Sequence, residues 1–167
     1  MTQSHILNYT RQFEMNDQVI KLRGCYQMRL GDANGNSLQE ISVDNTVVTA
    51  GRRWVLQQLA SSLINTAQSI GYIAVGTGTT APATADTALG SENTRIAINS
   101  FVSTNLTSNP PSWQAQASFA TNQANTTLGE VGMFNSSSGG TMLSRSTFGT
   151  VNKTTSNTFG VSYTISA

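Results

Sequence analysis

Chemistry in this chain would have to be assembled from few parts: one histidine, His5, one cysteine, Cys25, and eight scattered acids. A serine-type nucleophile needs a base beside it, usually a histidine, and His5 lies in a leading segment with no clean hydrophobic period. Cys25 would be a reactive thiol only with a depressed pKa. It falls inside a strand pattern with no histidine near it in sequence, which reads as a structural thiol. Glu40 and Asp44 share a strand face, where such a pair is more often solvated than catalytic. With no His or Cys cluster and no grouped acids, the sequence offers no metal site and implies no cofactor and no enzymatic activity.

The run Gly76-Thr77-Gly78-Thr79-Thr80-Ala81 fits the glycine spacing of a dinucleotide loop, and a strand pattern precedes it. That chemistry needs a helix to start at the loop and present its amides to a pyrophosphate. Pro82, Gly90 and the weak helix formers between them predict none, so the run reads as a turn. Trp54 and Trp113 read as packing residues, because a platform for nucleic-acid bases would stand in a basic groove. Arg52-Arg53 is the one basic doublet and reads as a solvated helix start.

The elements that must carry these residues follow from composition. The chain has 167 residues, 38% apolar and 10% charged, with a net charge of +1, against roughly 25% charged in an average soluble domain. Ser, Thr, Asn and Gln replace the missing charge. This balance predicts a folded chain without the electrostatic footprint of a nucleic-acid binder. A single cysteine excludes an intrachain disulfide, and neither a secretory signal nor a transmembrane run is expected.

Residues 1–18 read as an extended N-terminal arm ahead of one β-rich domain over 19–167. Ile20 to Leu30 alternates as a strand, Asp32 to Asn36 forms a turn around Asn34-Gly35, and Leu38 to Val43 returns, giving a hairpin within 19–44. Thr49 offers a helix cap, and Val55, Leu56, Leu59, Ala60 and Leu63 mark an apolar stripe, predicting one helix over 49–64. Strands are predicted within 70–167, at Tyr72 to Val75, Arg95 to Val102, Trp113 to Phe119, Glu130 to Asn135, Thr141 to Phe148 and Thr158 to Ile165. The fold class is therefore mainly β: an antiparallel β-sandwich or barrel with one packed α-helix and the extended arm. From Ile96 onward only Glu130, Arg145 and Lys153 are charged. So uncharged a β surface is exposed to edge-to-edge association.

The order of short motifs resembles the tail-collar fibre domain of tailed bacteriophages. Asn45 to Arg52, with its Thr49-Ala50-Gly51, resembles that family's helix start. Tyr72 to Gly78 resembles its "M-A-V-G-x-G" strand end, and Leu89, Glu92 and Arg95 its "L-x-x-E-x-x-R" element. Glu130 to Asn135 resembles its "E-x-G-L-[YF]" strand, and Gly140 to Arg145 and Lys153 follow in order. The similarity spans about Asn45 to Ile165.

The resemblance implies a non-enzymatic β-rich virion protein attached to a tail, collar or baseplate, with a trimer as the expected state. The chain departs from the family in its added arm and hairpin and in stopping after the last strand, which raises capsid decoration (cement) as an equal expectation. Expected partners are other copies of itself and phage capsid or tail proteins, with neither nucleic acid nor membrane. The expected location is the virion, after synthesis in a host cytoplasm. Ile6, Leu7, Tyr9 and Phe13 of the arm are the candidate inter-subunit contacts, adding a strand to a neighbour's sheet edge. The alternative is a module for a host-surface glycan, using exposed Trp or Tyr rings with Asn and Gln side chains in the loops.

Overall fold

The computed structural model describes residues 22–59, 69–105 and 112–166. The chain is mainly β: among the described residues, two antiparallel five-stranded sheets face each other as an open sandwich, with one short helix. The expected arm, including Ile6, Leu7, Tyr9 and Phe13, lies outside the described residues. The elements are β1 (Arg23–Gly31), β2 (Ser37–Asp44), β3 (Thr46–Val47), α1 (Thr49–Leu59), β4 (Tyr72–Gly76), β5 (Glu92–Ala97), β6 (Ser100–Asn105), β7 (Ser112–Phe119), β8 (Thr127–Phe134), β9 (Met142–Asn152) and β10 (Thr158–Ser166). One sheet runs β2-β1-β10-β7-β6 and the other β3-β9-β8-β4-β5.

Strict alternation in the first sheet produces its two faces. Tyr26, Met28, Ala115, Ala117, Phe119, Phe159, Val161 and Tyr163 point inward and are buried, while Gln27, Arg29, Gln116 and Ser118 between them are exposed. Opposite them stand Ile73, Val75, Leu128, Val131, Met133 and Val151 of the second sheet. The Phe119, Phe148 and Phe159 rings pack at centroid spacings of 6.3 and 6.4 Å. Each large apolar side chain fully withdrawn from water contributes about 1.5–3 kcal/mol relative to exposure. The core therefore rests on this interleaved layer.

Three expectations are corrected. The predicted strand from Arg95 to Val102 is two strands in different sheets: the chain crosses from β5 to β6 at Ile98 and Asn99, whose amides bond to Gly71 and Gln116 carbonyls. Asn99 is a turn former, but it stands alone there, and the alternation of Ile96 and Ile98 with Ala97 and Asn99 runs on through the break. The predicted cap also shifts. Arg52 N–H bonds the Val48 carbonyl, which puts Val48 at the cap position, and Thr49 instead donates its own amide to Thr84. The stripe is narrower than predicted, for Leu56 is 66% exposed while Trp54 and Val55 face the core. Helix residues predicted beyond Leu59 lie outside the described residues.

The hairpin turn works through one residue. Gly35 alone in it takes a positive φ, 86°, and the Asp32 carboxylate accepts the Asn34 and Asn36 amides at 2.9 and 2.8 Å. The Asn36 side chain, then its amide and those of Asn34 and Gly35, hold the exposed Asp32 carboxyl below its ordinary pKa.

Candidate functional site

Three charged side chains fall between Ile96 and the last residue, and the fold buries all three: Glu130 is 0%, Arg145 3% and Lys153 1% exposed. A buried charge is tolerated only when paired and hydrogen-bonded, so each position demands an account.

Glu130 projects from β8 to the outer face of the second sheet, where the loop after β4 covers it. Its Oε1 accepts the amides of Gly78 at 3.0 Å and Ser91 at 2.6 Å. Its Oε2 accepts the Gly90 amide at 2.8 Å and two Arg145 donors, Nε at 3.0 and Nη2 at 2.8 Å. Arg145 also donates Nη1 to Asp86 Oδ2 at 2.8 Å and Nη2 to the Thr80 carbonyl at 3.0 Å. Burial pushes the Glu130 carboxyl up, but the Ser91 and Gly90 amides, Arg145 and the Gly78 amide outweigh it and hold the pKa below the usual range. Asp86 is held low chiefly by the Ala83 amide, against burial, with Arg145 adding to it. Burial lowers the Arg145 pKa, and its bonds and charge pairing with Glu130 and Asp86 raise it further than that.

The glycines here are fixed by this carboxylate. A Cβ on Gly78 would overlap Glu130, and one on Gly76 would overlap the Ser91 carbonyl oxygen. No helix follows Gly78, and its amide is already spent on Glu130, so the run is a loop seat and not a phosphate cradle. Beneath the loop, Val48, Ala74, Leu89, Phe134 and Met142 form a second apolar cluster. Strand β8 is consequently buried on both faces, which explains why its sequence does not alternate.

A second clamp flanks the first. An extra residue in β5, between the partners of Val75 and Gly76, brings Glu92 and Arg95 to one side of the strand. They pair at 2.7 Å. The Arg95 guanidinium lies 3.6 Å over the Phe134 ring and donates to the carbonyls of Ser136 and Gly139, both at 2.8 Å. Gly78, Glu130 and Arg145, from three of the segments that carried the family resemblance, thus meet on this outer face, with Glu92 and Arg95 of a fourth beside them; Asp86 had not been singled out beforehand. Neither Glu130 oxygen reaches solvent. This carboxylate is a strut.

Lys153 differs from the other two. Its Nζ donates to Asn125 Oδ1 at 2.9 Å and to the Thr154 carbonyl at 3.5 Å, with no carboxylate on it among the described residues, and burial pushes its pKa down. The unfolded chain therefore binds this proton more tightly. The penalty is full below the folded pKa and is relieved as pH rises toward the ordinary lysine value. Lys153→Met is expected to raise stability by about 1 kcal/mol or more near neutral pH. In thermal melts its advantage over the parent should shrink as pH climbs toward 10. A variant less stable than the parent at pH 7 would show that the Asn125 contact outweighs desolvation.

The other residues of chemical interest stand apart. His5 lies outside the described residues. Cys25 Sγ is 3.3 Å from Ser42 Oγ on the outer face of the first sheet. Glu40 sits 4.0 Å from Arg29 and is exposed. Asp44, four strand positions on, is about 13 Å away, beyond acid–base cooperation. The Trp113 ring packs at 5.7 Å from Phe101 and 6.4 Å from Tyr163, committing it to packing instead of an exposed platform. Among the described residues no three of His, Cys, Asp and Glu gather as a metal site, and no helix is long and apolar enough to cross a membrane. No family model, curated protein or solved structure matches the chain.

Proposed function

We propose that the chain is a non-enzymatic structural protein of a tailed-phage particle. It self-associates, as a homotrimer, and sits on the particle surface either as capsid decoration or as a tail, collar or baseplate component. The observation that supports this reading best is the pairing of charge-free surface with open sheet edges. With Glu130, Arg145 and Lys153 buried, the described surface from Ile96 onward carries no formal charge. Strand β2, at one edge of the first sheet, exposes Leu38 at 57% but carries the charges of Glu40 and Asp44, whereas β6, at the other edge, carries none and exposes Phe101 at 53%. Free proteins blunt such edges with charge. Here the blunting falls to a neighbour, and the arm residues Ile6, Leu7, Tyr9 and Phe13 are assigned to that contact by strand addition. Many weak contacts on one particle then act together.

Mass-spectrometric copy number in purified particles, calibrated on the major capsid protein, tests the reading. Hundreds of copies place the chain on the capsid, and a few to a few dozen place it on the tail. Its absence from particles would overturn the proposal.

A further inference from the structure

The second sheet is covered on its outer face by the loop after β4, whereas the outer face of β2-β1-β10-β7-β6 is bare among the described residues. Strand registers line its side chains up. Ser42, Gln27, Ser162, Gln116 and Ser100 are successive cross-strand partners, one from each of the five strands. At about 4.8 Å per strand this row is about 19 Å long. Gly160 and Ser162 on the central strand β10, with Gln27, Arg29 and Gln116 on the strands beside it, leave an open groove of about 680 Å³.

Gly160 lies in the groove beside that row, between Arg29 and Ser118. Nothing in the fold asks for glycine there. Its φ is not positive, and an added Cβ would meet only the Arg29 carbonyl oxygen, at an ordinary 3.9 Å. Glycine inside a strand costs roughly 0.5–1 kcal/mol relative to alanine and often marks a bulge, a tight bend or close approach by a ligand or another backbone; the register runs unbroken through Gly160 on both sides, so no bulge accounts for it. The groove therefore keeps its floor open against the interest of stability.

We propose that this groove binds a neutral oligosaccharide, laid across the strands along the Ser–Gln–Ser–Gln–Ser row with a sugar over Gly160. Hydroxyl and carboxamide groups both donate and accept, which matches a ligand covered in hydroxyls. The two charges in the groove, Arg29 and Glu40, face each other at 4.0 Å and give an anion no net attraction. A protein partner would be anchored by aromatic or apolar side chains, and the row has none. The three central strands beneath, β1, β10 and β7, are paired on both sides, so a further strand can add only at the β2 and β6 edges and not over the groove floor. Part of the ordering is already in place: Gln116 Nε2 donates to Gln114 Oε1 at 3.1 Å, and Gln114 Nε2 to Thr164 Oγ1 at 3.1 Å. The glycan site expected from the loops and their aromatic rings moves, on this reading, to an aromatic-free sheet face.

The test is an array of neutral and acidic glycans probed with the full chain, Gly160→Tyr and Gln116→Ala. Tyrosine is a good strand former with room for its Cβ, so Gly160→Tyr should melt no lower than the parent while its binding to neutral glycans falls about tenfold or more. Gln116→Ala should weaken binding about three- to tenfold. No retained neutral glycan, a preference for acidic ones, or binding untouched by both substitutions would overturn the proposal. So would sedimentation showing that Gly160→Tyr breaks a self-association, since the occupant would then be a second copy. Particle incorporation of Gly160→Tyr reads the assembly role separately, so either proposal can fail alone.

Discussion

Arg145→Met should cost about 3–5 kcal/mol, lowering the melting temperature by about 6–20 °C. The substitution keeps an unbranched apolar stem and removes the guanidinium, so most of the loss comes from what remains behind: a Glu130 carboxylate at 0% exposure with its cation gone, and an Asp86 and a Thr80 carbonyl each short of a donor. Glu130→Gln fails differently. Its amide oxygen can still accept the Gly78 and Ser91 amides, but its NH2 group must face the Gly90 N–H and the Arg145 guanidinium, donor against donor. The double variant Glu130→Gln/Arg145→Met removes both charges and should be less damaged than the sum of the singles, with a coupling of about 0.5–3 kcal/mol. Additive losses would mean the two side chains act independently, against the paired geometry. Amide exchange adds a local signature. The amides of Gly78, Gly90 and Ser91 end on Glu130, so their protection should fall before that of β1 or β10.

The same clamp fixes the acid side of the stability curve. Glu130 and Asp86 both titrate below their ordinary values in the folded chain. Their contribution is therefore complete above the unfolded carboxyl pKa, about 4, and is lost as pH falls through the lower folded values. Arg145 stays charged throughout this window. In Arg145→Met the burial that pushes Glu130 up loses its largest opponent after the Ser91 and Gly90 amides, so the folded carboxyl moves up and the acid slope shrinks. Melts between pH 3 and 6 would show it, and an unchanged slope would mean other carboxyls govern acid unfolding.

How much of this was legible beforehand depends on range. The hairpin, the alternating strands β7 and β10 and the sandwich class follow from two-residue periods and turn formers, which are local signals. Glu130, Arg145 and Asp86 are not local: Arg145 reaches back 15 residues to one partner and 59 to the other. Their sparseness in an uncharged region was visible, but the natural reading of sparse charge is solvated charge. Only the covering loop inverts it. The β5–β6 crossing was missed because Ile98 and Asn99 keep the alternation while the chain changes sheets. The groove was invisible for a related reason. Gln27, Ser162 and Gln116 each read as an ordinary outward position, and only the register sets them in one row.

Gly51→Ala tests the remaining tertiary contact that sequence logic alone would get backwards. Alanine is about 1 kcal/mol better than glycine inside a helix, so propensity predicts a more stable chain. In the fold, α1 crosses β9 so closely that the new Cβ would overlap the Leu143 carbonyl oxygen and lie 2.7 Å from its carbonyl carbon and Cα. These are backbone atoms, and they cannot retreat cheaply. The same carbonyl accepts the Val48 amide at 3.2 Å at the helix start, and Met142 and Ser144 on either side are laddered to β8. Either the helix lifts, exposing Trp54 and Val55, or the ladder bends. We expect a net loss of about 2–3 kcal/mol, a fall of about 4–12 °C in melting temperature, and red-shifted Trp54 emission read in a Trp113→Phe background. Arg53→Ala, on the exposed face of the same helix, should stay within about 0.5 kcal/mol of the parent. If Gly51→Ala instead gains the alanine advantage with Trp54 emission unmoved, the helix stands farther from β9 than described, and the glycine at the helix start needs a reason outside this fold.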